Sequence, residues 1–426
     1  MDFYPRGSEW RKWDLHIHSN ASDGHLSPQE IIEAAAESEM SVIALTDHHT
    51  VRNVDEAKKI GKEHGITVIS GVEFRTEYGS KSVHIIGLLP DEYNGIKLNQ
   101  DAIEQLILDK LGLSRVLIET KGRSKKPGLD DDKAFKEGMH EFQVDLKKTA
   151  DLFHQYGGLI SVHAGNKSNS IEEMRHDGNG ASNVKDVVDS LGPVKEELLK
   201  NYIDICEIGS PNDRNAKFYI DKFDIPVIAA SDAHDKESIG KIFTWIKADP
   251  TFEGLRQIKY EPELRVKIQE YNPEMKRDYQ VIDSIKIDHP GFGNKTIFFN
   301  PCLNTIIGGR SSGKSILLAA IAKLANHQGK VKDNDEYNKY IDSIVPSMKL
   351  IWKDHKDSIA RKVEYFPQSL INSLAAESKK TKDIIVNILK DDADRKYAFE
   401  KYDSELMQIS LDRYDRFATN GISISV

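Results

Sequence analysis

Two histidines one residue apart, His16 and His18 in WDLHIHSNASDG, are followed by an acid, Asp23, in a polar turn. In a strand, side chains at i and i+2 share a face, so His16 and His18 project together. SDAHD sets Asp232 and His234 in the same way near the other end of the same region. Between these pairs, short apolar runs carry His48 (LTDHHT), Glu73 (GVEF), His84 (SVHIIGL) and His163 (SVHAG). Singly, a histidine at a strand end is an ordinary hydrogen-bonded residue. Together, these nine imidazoles and carboxylates on successive predicted strands form a ligand set. No thiolate accompanies them, which suits two or three divalent ions of Mn, Zn or Fe. Such a cluster lowers the pKa of a bound water and makes a nucleophile near neutral pH.

A second stretch points to phosphate. Gly308, Gly309, Arg310, Ser311, Ser312, Gly313, Lys314 and Ser315 (GGRSSGKS) satisfy G-x-x-x-x-G-K-[ST]. LNTII before it reads as a strand and KSILLAAIAKLA after it as a helix. In that order backbone amides wrap the phosphates, Lys314 reaches the β- and γ-phosphates and Ser315 ligates Mg²⁺, so ATP with Mg is the expected ligand.

The elements that must position these residues follow from periodicity. Apolar, β-branched runs of strand length recur as DLHIH, SVIALT, ITVISGVEF, KSVHIIGLL, GLISVHAG, YIDICEIG and IPVIAASDA. Helical patterns lie between several of them. In SPQEIIEAAAESE, Ser27 caps, Pro28 takes the first helical position and Glu30 completes a capping box. The alternation predicts an α/β fold with a mostly parallel barrel or sheet over 1–265. A polar, helical insertion interrupts it at about 91–157, and its KGRSKKPG run, followed by DDD, reads as a solvated loop. A charged, proline-bearing linker is placed at 266–280, and a second domain at 281–426, ending in a charged helical tail from Lys379.

The metal-type residues resemble those of the PHP (polymerase and histidinol phosphatase) family of phosphoesterases over about residues 11–245. The resemblance implies a distorted barrel of about seven βα units with metals at the strand ends. Motif by motif it assigns His16, His18 and Asp23, then His48, Glu73, His84 and His163, and finally Asp232 with His234. SNASDGHLSPQEII and LTDHHT most resemble the branch of nucleotide phosphatases and 5′→3′ exonucleases, with His49 standing where that branch has a second acid. Asp14 and Asp47 are expected to orient histidines. His18, His234 and Asp47 are the candidates for moving protons, and Glu207 in ICEIG is left between a site role and a core-edge carboxylate.

Residues 281–426 resemble the N-terminal lobe of ABC, SMC or RecF-type ATPases, an α/β P-loop fold. Within it EYFPQSLI resembles the Q-loop and makes Gln368 a nucleotide-sensing residue. No Walker B run and no LSGGQ-like helix follows, so the lobe is expected to be incomplete, by truncation or because another chain completes it. By the same resemblance a homo-oligomer or such a partner is expected.

Composition bounds the partners. A net charge of -9 over 426 residues excludes a broadly basic surface that holds nucleic acid everywhere. Two cysteines, Cys206 and Cys302, exclude a disulfide framework and suit the cytoplasm. No apolar run is long enough for a bilayer. The reading is a metal-dependent phosphoesterase, a nuclease on nucleic acid, coupled to an ATP-binding lobe in DNA metabolism or phage defence. The alternatives are a phosphatase of nucleotides or other small molecules, and a nucleotide-regulated assembly factor with a structural metal site.

Overall fold

Seven short runs with alternating apolar side chains pair side by side in chain order: β1 (Glu9–Ile17), β2 (Val42–Leu45), β3 (Thr67–Arg75), β4 (His84–Leu89), β5 (Leu159–His163), β6 (Ile205–Ile208) and β7 (Val227–Ala229). This is a computed structural model, and it describes residues 4–79, 82–174, 192–213, 215–274, 276–325 and 334–356, with positions 361, 363, 365, 366 and 408. Contacts divide the chain into two units, Met1–Arg277 with Phe298–Asn304, and Asp278–Ile297 with Thr305–Val426. No helix among the described residues is long and apolar enough to cross a membrane.

In the first unit the seven strands bend round until Ala233, just past β7, bridges Ile17 at the end of β1. His18 N donates to Ala233 O (2.9 Å) and Ala233 N to His16 O (3.3 Å), which joins the two ends of the sheet at the end that carries the histidines. Trp13, Val42, Ala44, Ile69, Ile86, Leu88, Leu159, Ile205 and Ile228, contributed by all seven strands, fill the inside. The complementary side chains, among them Ile43, Leu45, Val68, Phe74, Ile85 and Val162, pack in the outer core with the helices. Two further strands, β8 (Thr244–Ala248) and β9 (Val266–Lys267), extend the sheet antiparallel beyond β1.

Three features depart from the sequence expectation. The sheet is mixed, because β3 and β4 form an antiparallel hairpin and β4 is also antiparallel to β5. Only eight residues, positions 76 to 83, join β3 to β4, too few for the crossover a parallel pair requires. Second, Val266–Lys267 pairs with β8 in the first sheet rather than opening a linker. Third, the KGRSKKPG run is largely helical, in α3 (Arg115–Lys125), where α1 is Pro28–Glu37 and α2 is Val54–His64. Its charges are met locally: Lys125 and Lys126 pair with Glu141 (2.5 Å) and Glu137 (2.7 Å), and Arg123 with Asp131.

Local signals otherwise read true. Ser27 N donates to Glu30 Oε2 (2.8 Å) and Ser27 Oγ accepts from Glu30 N, closing the capping box on α1. In the insertion, α3 lies backbone to backbone on α4 (Asp131–Gly138). A Cβ at Gly122 would stand 1.9 Å from Ala134 O, and one at Gly138 2.0 Å from Ile118 O, so only glycine permits this approach. The last helix of that stretch, α5 (Leu146–Gln155), belongs to the barrel's outer layer, with Phe153 against Gly87 of β4.

The second unit has a three-stranded sheet of order β11–β10–β12, with β10 (Ile282–His289), β11 (Gly293–Phe298) and β12 (Met348–Trp352); β10 and β12 run antiparallel. LNTII, read above as a strand, has no regular structure: Leu303 and Ile307 are 81% and 88% exposed. A strand needs a neighbour for its ladder, and none of the described residues pairs with this run. The helical tail from Lys379 and Gln368 lie outside the described residues, apart from the single position 408.

Candidate metal centre

Period-2 alternation carries the inward face of each strand up to the same end of the barrel. On β3 the line runs Ile69, Gly71, Glu73; on β5 Leu159, Ser161, His163; on β6 Ile205, Glu207. Because β4 runs the other way, its inward line is read backwards, from Leu88 and Ile86 to His84 at its first residue. β1 keeps this rule only by breaking register. Trp13 and Leu15 belong to the inner cluster, Ile17 to the outer one, and the pairing with β2 shifts between Asp14 and Ile17. That irregularity turns both His16 and His18 inward, the re-aiming a β-bulge provides. Asp23, His48, Asp232 and His234 come from the segments that follow β1, β2 and β7.

All nine residues converge. Glu73 Oε2 lies 3.3 Å from His16 Nε2, 3.1 Å from His18 Nε2 and 3.3 Å from His48 Nε2, and its other oxygen lies 2.6 Å from His84 Nδ1 and 3.5 Å from His163 Nε2. Asp232 Oδ1 is 3.3 Å from both His16 and His18, whose Nε2 atoms are 3.0 Å apart. Asp23 faces His18 (3.3 Å), His48 (3.6 Å) and His234 (3.4 Å). Bonds of about 2.0–2.2 Å to an ion place neighbouring ligand atoms about 2.8–3.6 Å apart at octahedral or tetrahedral angles. Apart from the 2.6 Å between Glu73 and His84, a hydrogen-bond distance, the observed separations fall in that range.

Tautomers agree with the same use. His16 Nδ1 donates to Glu207 Oε1 (2.8 Å), His163 Nδ1 to Ser168 O (3.1 Å) and His234 Nδ1 to Asp232 O (2.9 Å). Each of these rings therefore turns a lone pair on Nε2 toward the cluster, as metal-ligating histidines do. His18 Nδ1, His48 Nδ1 and His163 Nε2 are buried with no hydrogen-bond partner. A donor set of imidazole and carboxylate, with the orphaned His18 Nδ1 and His163 Nε2 facing Asp23 and Glu73, fits divalent ions.

Burial and mutual charge pull these groups apart. Burial pushes Glu73 up, but the rings of His48, His84 and His16 outweigh it and hold the carboxyl well below its usual range. Burial lowers His18, while Asp232 and Glu73 more than reverse this and bring it to about 9. His48 and His163 go the other way, to about 4 and about 3, chiefly through burial.

Some assignments change. Asp47, a candidate for proton transfer, spends its oxygens on Ser19 N (2.8 Å), Ser19 Oγ (2.6 Å) and Ser22 Oγ (2.5 Å), so it shapes the turn after β1 rather than reaching the centre. Asp14 accepts from Ser231 N (3.0 Å) and orients no histidine side chain. Glu207 has a site role, holding His16. Sequence reading missed Lys167, which is buried, pairs with Glu207 and lies 3.2 Å from Asp232 Oδ2. It also missed Asn169, whose Nδ2 is 2.9 Å from His84 Nε2. Their only signal was a lysine and an asparagine shortly after His163.

In the second unit Gly313, at φ 88°, leads into α9 (Lys314–Leu324), with α6 (Pro193–Asn201), α7 (Ala216–Phe223) and α8 (Phe252–Gln257) before it. Lys314 Nζ donates back to Gly308 O (2.8 Å) and Gly309 O (2.6 Å), with Ser312 Oγ at 3.4 Å.

Comparison with known proteins agrees with the first unit. Residues 14–162 match the PHP domain and residues 209–257 the PHP-associated family. The first span holds His16 to His84, and the second holds Asp232 and His234. A 5′-3′ exoribonuclease of Haemophilus influenzae is 47% identical over 78 residues, 18% of this chain and 28% of the relative. A 3′,5′-nucleoside bisphosphate phosphatase of Chromobacterium violaceum is 43% identical over 75 residues, 18% and 26%. The chain thus spans little more than a quarter of the length of these relatives. Among solved structures, an amidohydrolase from Chromobacterium violaceum superposes with a TM-score of 0.39 at 20% identity, covering 62% of this chain and 98% of that one. Over residues 14–162 the chain is thus similar to the PHP domain.

Proposed function

We propose that this PHP-like unit is a metal-dependent phosphoesterase acting on nucleic-acid phosphodiesters, a nuclease. The observation that carries the reading is Glu73, one carboxylate facing five imidazoles with both its oxygens, as a ligand shared between ions must. His16, His163 and Asp232 would hold one ion, His48 and His84 with Glu73 a second, and His18 with Asp23 a third. Ions there supply a water of lowered pKa and charge to neutralise the phosphoryl oxygens. His18 is fully buried with both nitrogens turned to the cluster, so it is a poor proton donor to a leaving group. His234, with a side chain 36% exposed and held by Asp23 above its ordinary pKa, is the better placed. The names of the relatives, one a nuclease and one a phosphatase, keep a nucleotide phosphatase as the competing reading. With Mn²⁺, end-labelled RNA and DNA are expected to be cut while mononucleotides are spared. Release of inorganic phosphate from mononucleotides, with oligonucleotides intact, would reverse the assignment.

The coupling to ATP belongs to the same proposal. It is supported by the GGRSSGKS sequence and by the loop curling over the start of α9 with Lys314 reaching back across it. Lys314 would meet the β- and γ-phosphates and Ser315 the Mg²⁺. Titration with a fluorescent ATP analogue should show saturable binding that Lys314→Ala weakens at least about tenfold. Binding indifferent to that change would remove ATP from the proposal.

A further inference from the structure

His49 is 1% exposed and sits at φ 55°, and neither of its ring nitrogens has a hydrogen-bond partner. It forms one wall of a cavity of about 130 Å³ whose other walls come from the helical insertion, including Asp101, Glu104, Asp109, Arg115 and Phe135. Arg115 is held from behind: Nε lies 2.7 Å from Glu119 Oε1 and Nη2 2.7 Å from Asp132 Oδ1, while Nη1 is buried without an acceptor. Its guanidinium lies over the Phe135 ring, 4.8 Å from the centre, which fixes its orientation. Burial first, then Asp101 and Asp109, push Glu104 up. Asp101 and Asp109 are exposed and Glu104 is half-buried, so these carboxylates offer acceptors at the cavity to a ligand's donors.

We infer that this cavity is a nucleobase subsite for the substrate of the neighbouring metal centre, selective for bases with an exocyclic amino group. The inference rests on the nucleic-acid reading above. A lone cation leaves the buried donor of Arg115 unmatched, and His49 joins none of the described groupings with ligand spacing. An anionic group meets three acids. A planar ring with amino donors and ring acceptors satisfies both sides, the amino hydrogens on the carboxylates and a ring nitrogen or carbonyl on Arg115 or His49. The volume is close to that of a cavity of about 150 Å³ known to admit a six-membered ring. Position agrees as well: His49 follows His48, with ring centres 6.3 Å apart, so the cavity lies one residue from the metal-ligand set.

The test is calorimetric titration of the full chain, metal-loaded and metal-stripped, with adenosine, cytidine and uridine. Adenosine and cytidine should bind in both states, uridine at least about tenfold more weakly, as a missing donor to a charged acceptor implies. Glu104→Gln and Asp109→Asn should each weaken the amino-bearing nucleosides about tenfold with metal content unchanged. No binding, equal affinity for all three nucleosides, indifference to both substitutions, or loss of binding on metal removal would each overturn the subsite. Nucleosides carry no phosphate, so this result and the hydrolysis test can fail independently.

Discussion

Glu73→Gln is expected to abolish most metal binding and to lower phosphoester hydrolysis by at least about 10³-fold, a loss of about 4 kcal/mol in transition-state stabilisation. The amide keeps the size and shape of the side chain but replaces one acceptor oxygen with an NH₂ donor and removes the charge. Both oxygens are in use: one faces His16, His18 and His48, the other His84 and His163. Either orientation of the amide therefore points hydrogens at nitrogens whose lone pairs face the cluster. His16→Ala with His18→Ala should have the same outcome by a different route, since it removes two of the ligands around Asp232 Oδ1. Elemental analysis and steady-state rates check both. A Glu73→Gln protein that holds two or more ions and keeps its rate within tenfold would exclude a shared carboxylate.

The second large effect concerns stability. Ions at a thousand times their dissociation constant stabilise the folded state by about 4 kcal/mol, which for a unit of this size is roughly 10 °C in Tm. The stability of metal-stripped protein and the increment from metal should also respond differently to pH, in opposite directions above about pH 6.5. Without metal, His18 is held near 9 and His16 well above its ordinary value by Asp232, Glu73 and, for His16, Glu207, against burial that lowers both. Histidines raised in the folded state contribute stability that is complete below about pH 6.5 and is lost as pH rises through the folded value, here up to about 9. On the acid side the sign reverses. His48 and His163, lowered to about 4 and about 3, bind protons more readily when unfolded, so stability falls as pH drops below about 6.5. Glu207, held near 2 by His16 and Lys167 against burial, adds its own loss as pH falls through that value. Metal-stripped protein should thus be most stable near pH 6.5. The increment from metal should grow with pH instead, because ligands must release protons to bind. Thermal melts with and without Mn²⁺ between pH 5 and 9 measure both slopes, and parallel slopes would show that these residues do not take up metal.

Much of the candidate centre was legible because its signals are local. HxH in a strand, an acid in the next turn, and single histidines closing apolar runs depend on residue type and on a period of two. The capping box at Ser27 and Glu30 is equally local and appears as read. Glu207 was ambiguous because its partner, His16, is 191 residues away in sequence. Lys167 was invisible for the same reason: a lysine in a polar loop is ordinarily solvated, and only the placement of Glu207 and Asp232 shows why this one is buried.

By itself, then, the sequence determined the kinds of ligand, the strands that carry most of them, and the PHP resemblance of the first unit. Tertiary structure alone decided the direction of β4, which places His84 at the start of its strand rather than its end. It decided the register break in β1, without which alternation would send Trp13 and His16 to opposite faces. It decided that Asp47 shapes a turn, that LNTII lacks a strand partner, and that His49 faces a cavity walled by a helical insertion far along the chain. Side-chain periodicity is set within a few residues, whereas strand direction, register and burial are set by which distant segments supply the neighbouring ladder and core.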